Sequence, residues 1–234
     1  MRNERPWKND KRATAVLMSG GLDSAVLAAV EAQEHDVQPI YVSCGLAWEP
    51  NEQAFLARFL AAYRAPHAVH ALVRLELPVR DTYAEPHWAF GGVPPGRDAP
   101  VEELYLPGRN VALLAKAGIY CASAQLHRIA MGQLQGNPFP DATPEFFSAM
   151  ARALSVGLNH PLEIAFPFLS RTKSDVIRLG ASLQVPFDLS LSCMNPVASG
   201  HCGACNKCRE RREAFIASGV EDRTAYARLP ADHR

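Results

Sequence analysis

Little in this chain ties it to a polyanion or a bilayer. Twenty-four lysines and arginines balance twenty-four aspartates and glutamates, so the formal net charge is zero. That excludes a broad electrostatic nucleic-acid binder, though not a local basic site. No apolar run reaches membrane-spanning length. Met1–Arg12 is polar and basic with no apolar centre, which is not the pattern of a secretory signal and reads as a loose tail. No internal repeat or low-complexity segment occurs, which removes repeat arrays from consideration. With 234 residues, 48% of them apolar and 21% charged, the chain suits one globular domain with or without an appendage. A cytoplasmic location is expected, and there six cysteines point to a metal or reactive thiols rather than to disulfides.

The most informative stretch is Ser19-Gly20-Gly21-Leu22-Asp23-Ser24. It follows the apolar run Ala15–Met18, read as the end of a strand over Ala13–Met18, and precedes a helical segment over Ala25–Glu34. A strand, a glycine turn and a helix N-terminus make an anion site, because the first helical amides lack partners and the helix dipole is positive there. Adjacent glycines admit a phosphate close to the backbone. Ser19 and Ser24 can add hydroxyl donors. Asp23 either caps the helix or reaches a Mg²⁺ ion shared with the phosphates. The motif is not a Walker A loop, since Asp23 stands where that loop has lysine.

Further strands are expected over Val37–Val42, where Pro39 is a blemish, then Ala68–Val73, Arg128–Met131 and Leu162–Phe166. Helices are expected over Glu52–Tyr63, Asn110–Ser123, Pro144–Leu154, Thr172–Leu179 and Lys207–Ala217. This alternation predicts an α/β fold with a parallel sheet and the glycine turn at its carboxyl edge. Residues 77–107, rich in proline and glycine, read as a long irregular connection of the functional or mobile kind. Within it Trp88 and Phe90 are candidates for a lid that stacks on a ring, whereas Trp48 reads as core.

Cys193 and Cys202-x-x-Cys205-x-x-Cys208 fall within sixteen residues, with glycines and asparagine suited to the turns of a metal knuckle. Four thiolates predict a closed tetrahedral Zn²⁺ site, with an iron–sulfur cluster as the rival. His201 is a lesser alternative ligand. The expected organisation is a tail over 1–12, a nucleotide- and substrate-binding domain over 13–185 and a small zinc-bearing helical part over 186–234.

The order S-G-G-x-D-S resembles the PP-loop of the adenine nucleotide α-hydrolase superfamily, whose members split ATP into AMP and pyrophosphate. Further segments narrow the resemblance: Leu106-Pro107-Gly108-Arg109-Asn110, Phe139–Phe146, Pro167–Lys173 and Ser192–Cys208. Together with the glycine turn, in this order, they resemble the 7-cyano-7-deazaguanine synthase (QueC) family. The resemblance implies a Rossmann-like PP-loop domain and a carbon–nitrogen ligase of the queuosine pathway. It would activate 7-carboxy-7-deazaguanine with ATP and convert it with ammonia to the nitrile. It implies ATP contacts from Leu17, Met18, Ser19, Gly20, Gly21, Leu22, Asp23, Ser24, Arg109 and Asn110. It gives catalytic roles to Asp23, Arg109 and Lys173, and substrate contacts to Phe139, Asp141 and Glu145. The implied cofactors are ATP, Mg²⁺ and Zn²⁺, and the implied assembly is a homodimer.

Two segments depart from the family pattern. Ser43-Cys44-Gly45-Leu46-Ala47-Trp48 replaces a polar run, and Thr143 stands where an arginine is usual. Both bear on how the acid and the amine are held. The alternatives they open are an enzyme that stops at the amide, or one that joins the acid to another amine, including one on a protein partner. A PP-loop tRNA thiolation enzyme is a further alternative, disfavoured by the zero net charge and the cysteine spacing.

Overall fold

A computed structural model describes residues 13–197 and 200–228. The expected tail, Met1–Arg12, lies outside the described residues. Five strands form one fully parallel sheet: β1 (Ala13–Leu17), β2 (Asp36–Ser43), β3 (Val73–Glu76), β4 (Arg128–Ala130) and β5 (Glu163–Ala165). Their order is β3-β2-β1-β4-β5. The six helices described are α1 (Leu22–Glu31), α2 (Glu49–Ala62), α3 (Arg109–Ala124), α4 (Pro144–Gly157), α5 (Lys173–Ser182) and α6 (Asn206–Ser218).

The strands sort their side chains by the two-residue period of a pleated sheet. Ala15, Leu17, Ile40 and Val42 face one core, which α3 and α4 close with Leu114, Ala117, Cys121 and Phe147. Val16, Met18, Val37 and Tyr41 face the other, closed by α1, α2, α5 and α6 through residues such as Val26, Phe59, Ile177 and Phe215. With both faces covered, β1 is buried throughout, which is why its end, Ala15–Met18, reads as an apolar run rather than an alternating one.

The third strand differs from expectation. Regular pairing runs from Val73 to Glu76, and of the expected Ala68–Val73 stretch Val69 forms an isolated bridge to Val37. Pro39 supplies the reason. Val37 N–H reaches the carbonyl of Ala68, but Pro39, two residues on, has no N–H to continue the ladder. The Gln38 side chain substitutes, its amide donating 2.9 Å to the carbonyl of Ala71. Regular pairing then resumes at Ile40 opposite Val73. Charged Arg74 and Glu76 are exposed between half-buried Val73 and Leu75, an edge-strand pattern that resembles loop sequence.

Residues 77–107 form three short 3₁₀ turns, tied down along their length. Ala89 and Phe90 are buried, and the carbonyl of Ala89 accepts Ala47 N–H. Tyr83 O–H donates to the carbonyl of Pro107 at 2.7 Å, and Asn206 Nδ2 donates to that of Ala99 at 2.9 Å. The segment is a strap from the start of α2 to the start of α6. Phe90 belongs to the core rather than to a lid.

The strand order reverses between β1 and β4. In open α/β sheets the crevice at such a reversal, at the carboxyl ends, is where ligands bind. No described helix is long and apolar enough to cross a membrane.

Candidate active site and metal centre

The crevice holds two adjoining chambers of about 290 and 190 Å³. Ser19, Asp23, Glu52, Arg109 and Asn110 border both. The smaller is lined by β1 and β2 through Leu17, Met18, Ile40 and Val42, with Leu46, Leu113 and Gly132. The larger adds Gly21, Leu22, Trp88, Tyr105, Phe139, Asp141 and Lys173.

The glycine turn is built for close approach. Gly20 has φ +76°, and a Cβ there would lie 2.7 Å from the carbonyl oxygen of Glu52. Its own carbonyl accepts Leu191 N–H at 2.8 Å. Gly21 is the N-cap of α1 with no side chain capping the helix, so the first amides of α1 stay available. Asp23 is therefore not the cap. Ser19 Oγ accepts Gly21 N–H at 3.3 Å, which leaves the Ser19 hydroxyl proton free to serve a ligand. The Ser24 hydroxyl donates to the carbonyl of Gly21 at 2.9 Å, so its proton is engaged within the helix.

Tertiary packing assembles a charge relay behind this turn. Lys173 Nζ lies 3.3 Å from Asp23 Oδ2 and 2.7 Å from Glu210 Oε1. Glu210 Oε2 is 2.7 Å from Lys207 Nζ. Burial works against the Lys173 charge, but the carboxylates of Asp23 and Glu210 outweigh it and hold the ammonium above its usual range. Burial likewise opposes the Glu210 charge, and the two lysines outweigh it, keeping the carboxyl well below the ordinary range. The other oxygen of Asp23, Oδ1, is buried without a hydrogen-bond partner, and so is Arg109 Nε. An anionic orphan and a cationic orphan on one crevice wall suit a ligand that brings a divalent cation and phosphate together.

Asp141 fastens the helix that carries Arg109. Its Oδ2 accepts Asn110 N–H at 3.0 Å and its carbonyl accepts Asn110 Nδ2 at 2.8 Å. It thus serves as a remote acceptor for the free first turn of α3, whose N-cap Gly108 offers no side chain. Burial raises the Asp141 pKa, partly offset by this hydrogen bond. Phe139 stacks on Tyr105, with ring centroids 4.9 Å apart. Trp48 is buried yet borders the larger chamber, stacked on Trp88 at 5.5 Å and 11°.

Glu145 is not brought to the crevice. It is exposed on α4 beside Ser148, Ala149 and Arg152. The helix is oriented by fully buried Phe147, two residues on, and a two-residue step turns about 200° around a helix. Thr143, at the second departure, is the N-cap of α4, its Oγ1 accepting Phe146 N–H at 3.1 Å. At the first departure, Glu49 holds the backbone: Ser43 O–H, Cys44 N–H and Gly45 N–H all donate to its carboxylate.

The four cysteines meet as predicted. Their Sγ atoms are buried and lie within 4.8 Å of one another. The Cys193–Cys205 and Cys202–Cys208 separations are 3.9 and 4.0 Å. A tetrahedron with metal–sulfur bonds of about 2.3 Å has edges of about 3.8 Å, so the cluster fits a thiolate-bound metal. Backbone N–H groups of Asn195 and Cys202 donate to Cys193 Sγ, and that of Ala204 to Cys202 Sγ. His201 is no ligand here: its Nε2 accepts Ser192 N–H at 3.0 Å. Cys121 is an inert core thiol, pushed up to about 12 by burial. Burial also raises Cys44, which borders the smaller chamber.

Several site residues escaped the sequence reading. Lys207 and Glu210 lie inside and just after the cysteine motif, at helical spacing on α6. Glu52 lies four residues from Trp48, one turn along α2. Arg211 is fully buried, donating to Ser190 Oγ, Ser192 Oγ, Thr224 Oγ1 and the carbonyl of Phe187, and so pins the segment beneath the glycine turn. No local pattern marks it for burial, since it lies in the charged run Arg209-Glu210-Arg211-Arg212-Glu213.

The sequence profile described as "Queuosine biosynthesis protein QueC" matches residues 13–219. Among curated relatives, the 7-cyano-7-deazaguanine synthase of Anaeromyxobacter dehalogenans (strain 2CP-C) is 32% identical, covering 94% of this chain and 98% of that protein. The one from Methanopyrus kandleri is 35% identical, covering 91% and 98%. That of Thermoplasma acidophilum is 30% identical, covering 96% of each. Glycine turn, crevice, cysteine cluster and these matches lead to one conclusion: the chain belongs to the QueC family.

Proposed function

We propose that this protein is an ATP-dependent, AMP-forming carbon–nitrogen ligase that converts 7-carboxy-7-deazaguanine and ammonia to 7-cyano-7-deazaguanine. The observation that carries the reading is the convergence of the glycine turn, Lys173 and Arg109 on one crevice at the sheet reversal. A carboxylate is a poor electrophile because ammonia cannot expel oxide from it. Adenylation replaces oxide with AMP as the leaving group. The site must bind the triphosphate, neutralise charge as pyrophosphate departs, and hold the acid against the α-phosphate.

The chain supplies these parts. The free amides of α1 and the Ser19 hydroxyl face phosphate oxygens. Lys173 and Arg109 stabilise charge on the phosphates and on the leaving oxygen. The apolar smaller chamber suits an adenosine. The larger chamber, walled by Trp88, Tyr105 and Phe139, suits a flat heterocycle, with Asp141 at its polar end. Asp23, through its unpartnered Oδ1, would hold Mg²⁺, which supplies charge neutralisation between phosphates. Cys193, Cys202, Cys205 and Cys208 would hold Zn²⁺ as a structural ion that fixes the start of α6, and with it Lys207 and Glu210. A homodimer, carried by the family resemblance, and a cytoplasmic location, carried by the sequence pattern, complete the proposal.

The test is mass spectrometry of products from protein, ATP, Mg²⁺, 7-carboxy-7-deazaguanine and ammonium. Nitrile with AMP and pyrophosphate is expected. Amide as the sole product would limit the enzyme to the first half-reaction, and absence of ATP cleavage with this acid would refute the assignment.

A further inference from the structure

On the way from ammonia to a nitrile, one nitrogen sheds three protons. The first leaves as the amide forms, the second as the amide oxygen is adenylated, the third as AMP is expelled. A site running this sequence needs a group beside that nitrogen that accepts protons repeatedly near neutral pH. We infer that Glu52 is this group, a general base at the junction of the two chambers. The inference rests on the function proposed above.

Position is the first argument. An adenosine in the smaller chamber and an acid in the larger one bring the reacting carbon to the shared wall, where Glu52 stands with Arg109. Elimination is the second. Asp23 is paired with Lys173, Asp141 holds the α3 amide, and Glu49 accepts three donors. The Glu52 oxygens each take one neutral donor: Tyr41 O–H at 2.9 Å to Oε2 and Trp48 Nε1–H at 3.1 Å to Oε1. Those donors fix the carboxyl and leave lone pairs for a ligand.

The charged groups around Glu52 come from every packed element: Tyr41 on β2, Cys44 after it, Glu49 on its own helix and Arg109 on α3. Burial pushes the carboxyl up to about 7, against the Arg109 charge and the Tyr41 hydrogen bond. A base is most effective when its pKa lies near the operating pH. The steps balance. Acyl-adenylate, ammonia and the Glu52 carboxylate give amide, AMP and the Glu52 acid. Amide, ATP and the Glu52 carboxylate give the adenylated imidate, pyrophosphate and the Glu52 acid, and the imidate and the Glu52 carboxylate then give nitrile, AMP and the Glu52 acid. Solvent removes each proton in turn.

The experiment compares wild type with Glu52→Gln in two assays. ATP–pyrophosphate exchange with 7-carboxy-7-deazaguanine, without ammonia, reports adenylation alone. Amide plus nitrile formation at saturating ammonia reports nitrogen chemistry. Glu52→Gln is expected to keep exchange within about threefold of wild type and to lose product formation by about 10²–10⁴-fold. In wild type, product formation plotted against free ammonia should rise about tenfold per pH unit below about 7 and then level. Tyr41→Phe and Trp48→Phe each remove a donor to the carboxylate, so each should move that limb to higher pH. These shifts decide the matter if Glu52→Gln does not fold. Equal loss in both assays, no loss in either, or a limb indifferent to Tyr41 and Trp48 would overturn the inference. Failure of wild type to exchange with this acid would instead sink the function on which it rests.

Discussion

Two neighbouring glycines should respond oppositely to the same substitution. At Gly20, φ is +76°, where an alanine costs about 1–2 kcal/mol, and the new Cβ would sit 2.7 Å from the Glu52 carbonyl oxygen. That oxygen belongs to the backbone of α2 and cannot swing aside, so overpacking adds about 1–3 kcal/mol. Gly20→Ala should therefore lose about 2–5 kcal/mol, or about 4–20 °C in Tm for a chain of this size. At Gly21, φ is −75° and ψ 162°, an ordinary extended conformation. A Cβ there meets Ser19 Oγ at 3.2 Å, the tip of a rotatable side chain, and the lost freedom of the unfolded chain returns about 0.4–1 kcal/mol. Gly21→Ala should thus keep its Tm within a few degrees. Yet Gly21 borders the larger chamber and its methyl would stand where phosphate approaches. Losing one charge-assisted contact of about 1.5–3 kcal/mol raises the ATP KM by about 10–150-fold. Thermal melts of both variants, with ATP–pyrophosphate exchange over a range of ATP, test the pair. Gly21→Ala melting as low as Gly20→Ala, or binding ATP normally, would refute the geometry.

Lys173→Met should lower the exchange rate by about 10²–10³-fold, because it removes the cation paired with Asp23 in the glycine turn and leaves that carboxylate uncompensated. Removing the metal by chelation should release bound metal measurable by elemental analysis and depress exchange, since α6 carries Lys207 into the crevice and Glu210 onto Lys173. The two carboxyls predict opposite pH trends in stability. Glu210 is depressed in the folded state, so its contribution holds above its unfolded pKa and fades as the solution is acidified; melts of Glu210→Gln should show a flatter acid limb. Glu52 is raised to about 7, so its contribution is complete below about 4.5 and disappears as pH rises to 7. Relative to wild type, Glu52→Gln should therefore gain up to about 3 kcal/mol between pH 4 and 8, read from Tm across that range.

Much of this protein is written in short stretches. Ser19–Ser24 specifies its turn because every residue involved is local: two glycines, two hydroxyls and the helix start they open. Cys193, Cys202, Cys205 and Cys208 specify a knuckle for the same reason, since turns two or three residues long bring the last three thiols together. The alternation of strands and helices announced a parallel sheet with the glycine turn at its carboxyl edge. What packing alone decided is pairwise distance between remote segments. Lys173 meets Asp23 and Glu210 because α5 packs between α1 and α6, an arrangement no local pattern encodes. Glu145 turns to solvent because Phe147 takes the core. Pro39 delays the third strand through a ladder bond owed to Ala71. Glu52 owes its raised pKa to burial, held against an arginine, a tyrosine and a tryptophan delivered by α3, β2 and the start of α2. Residue type and spacing reveal which groups are present; their ionisation and their partners depend on dielectric and distance, which exist once the chain has folded.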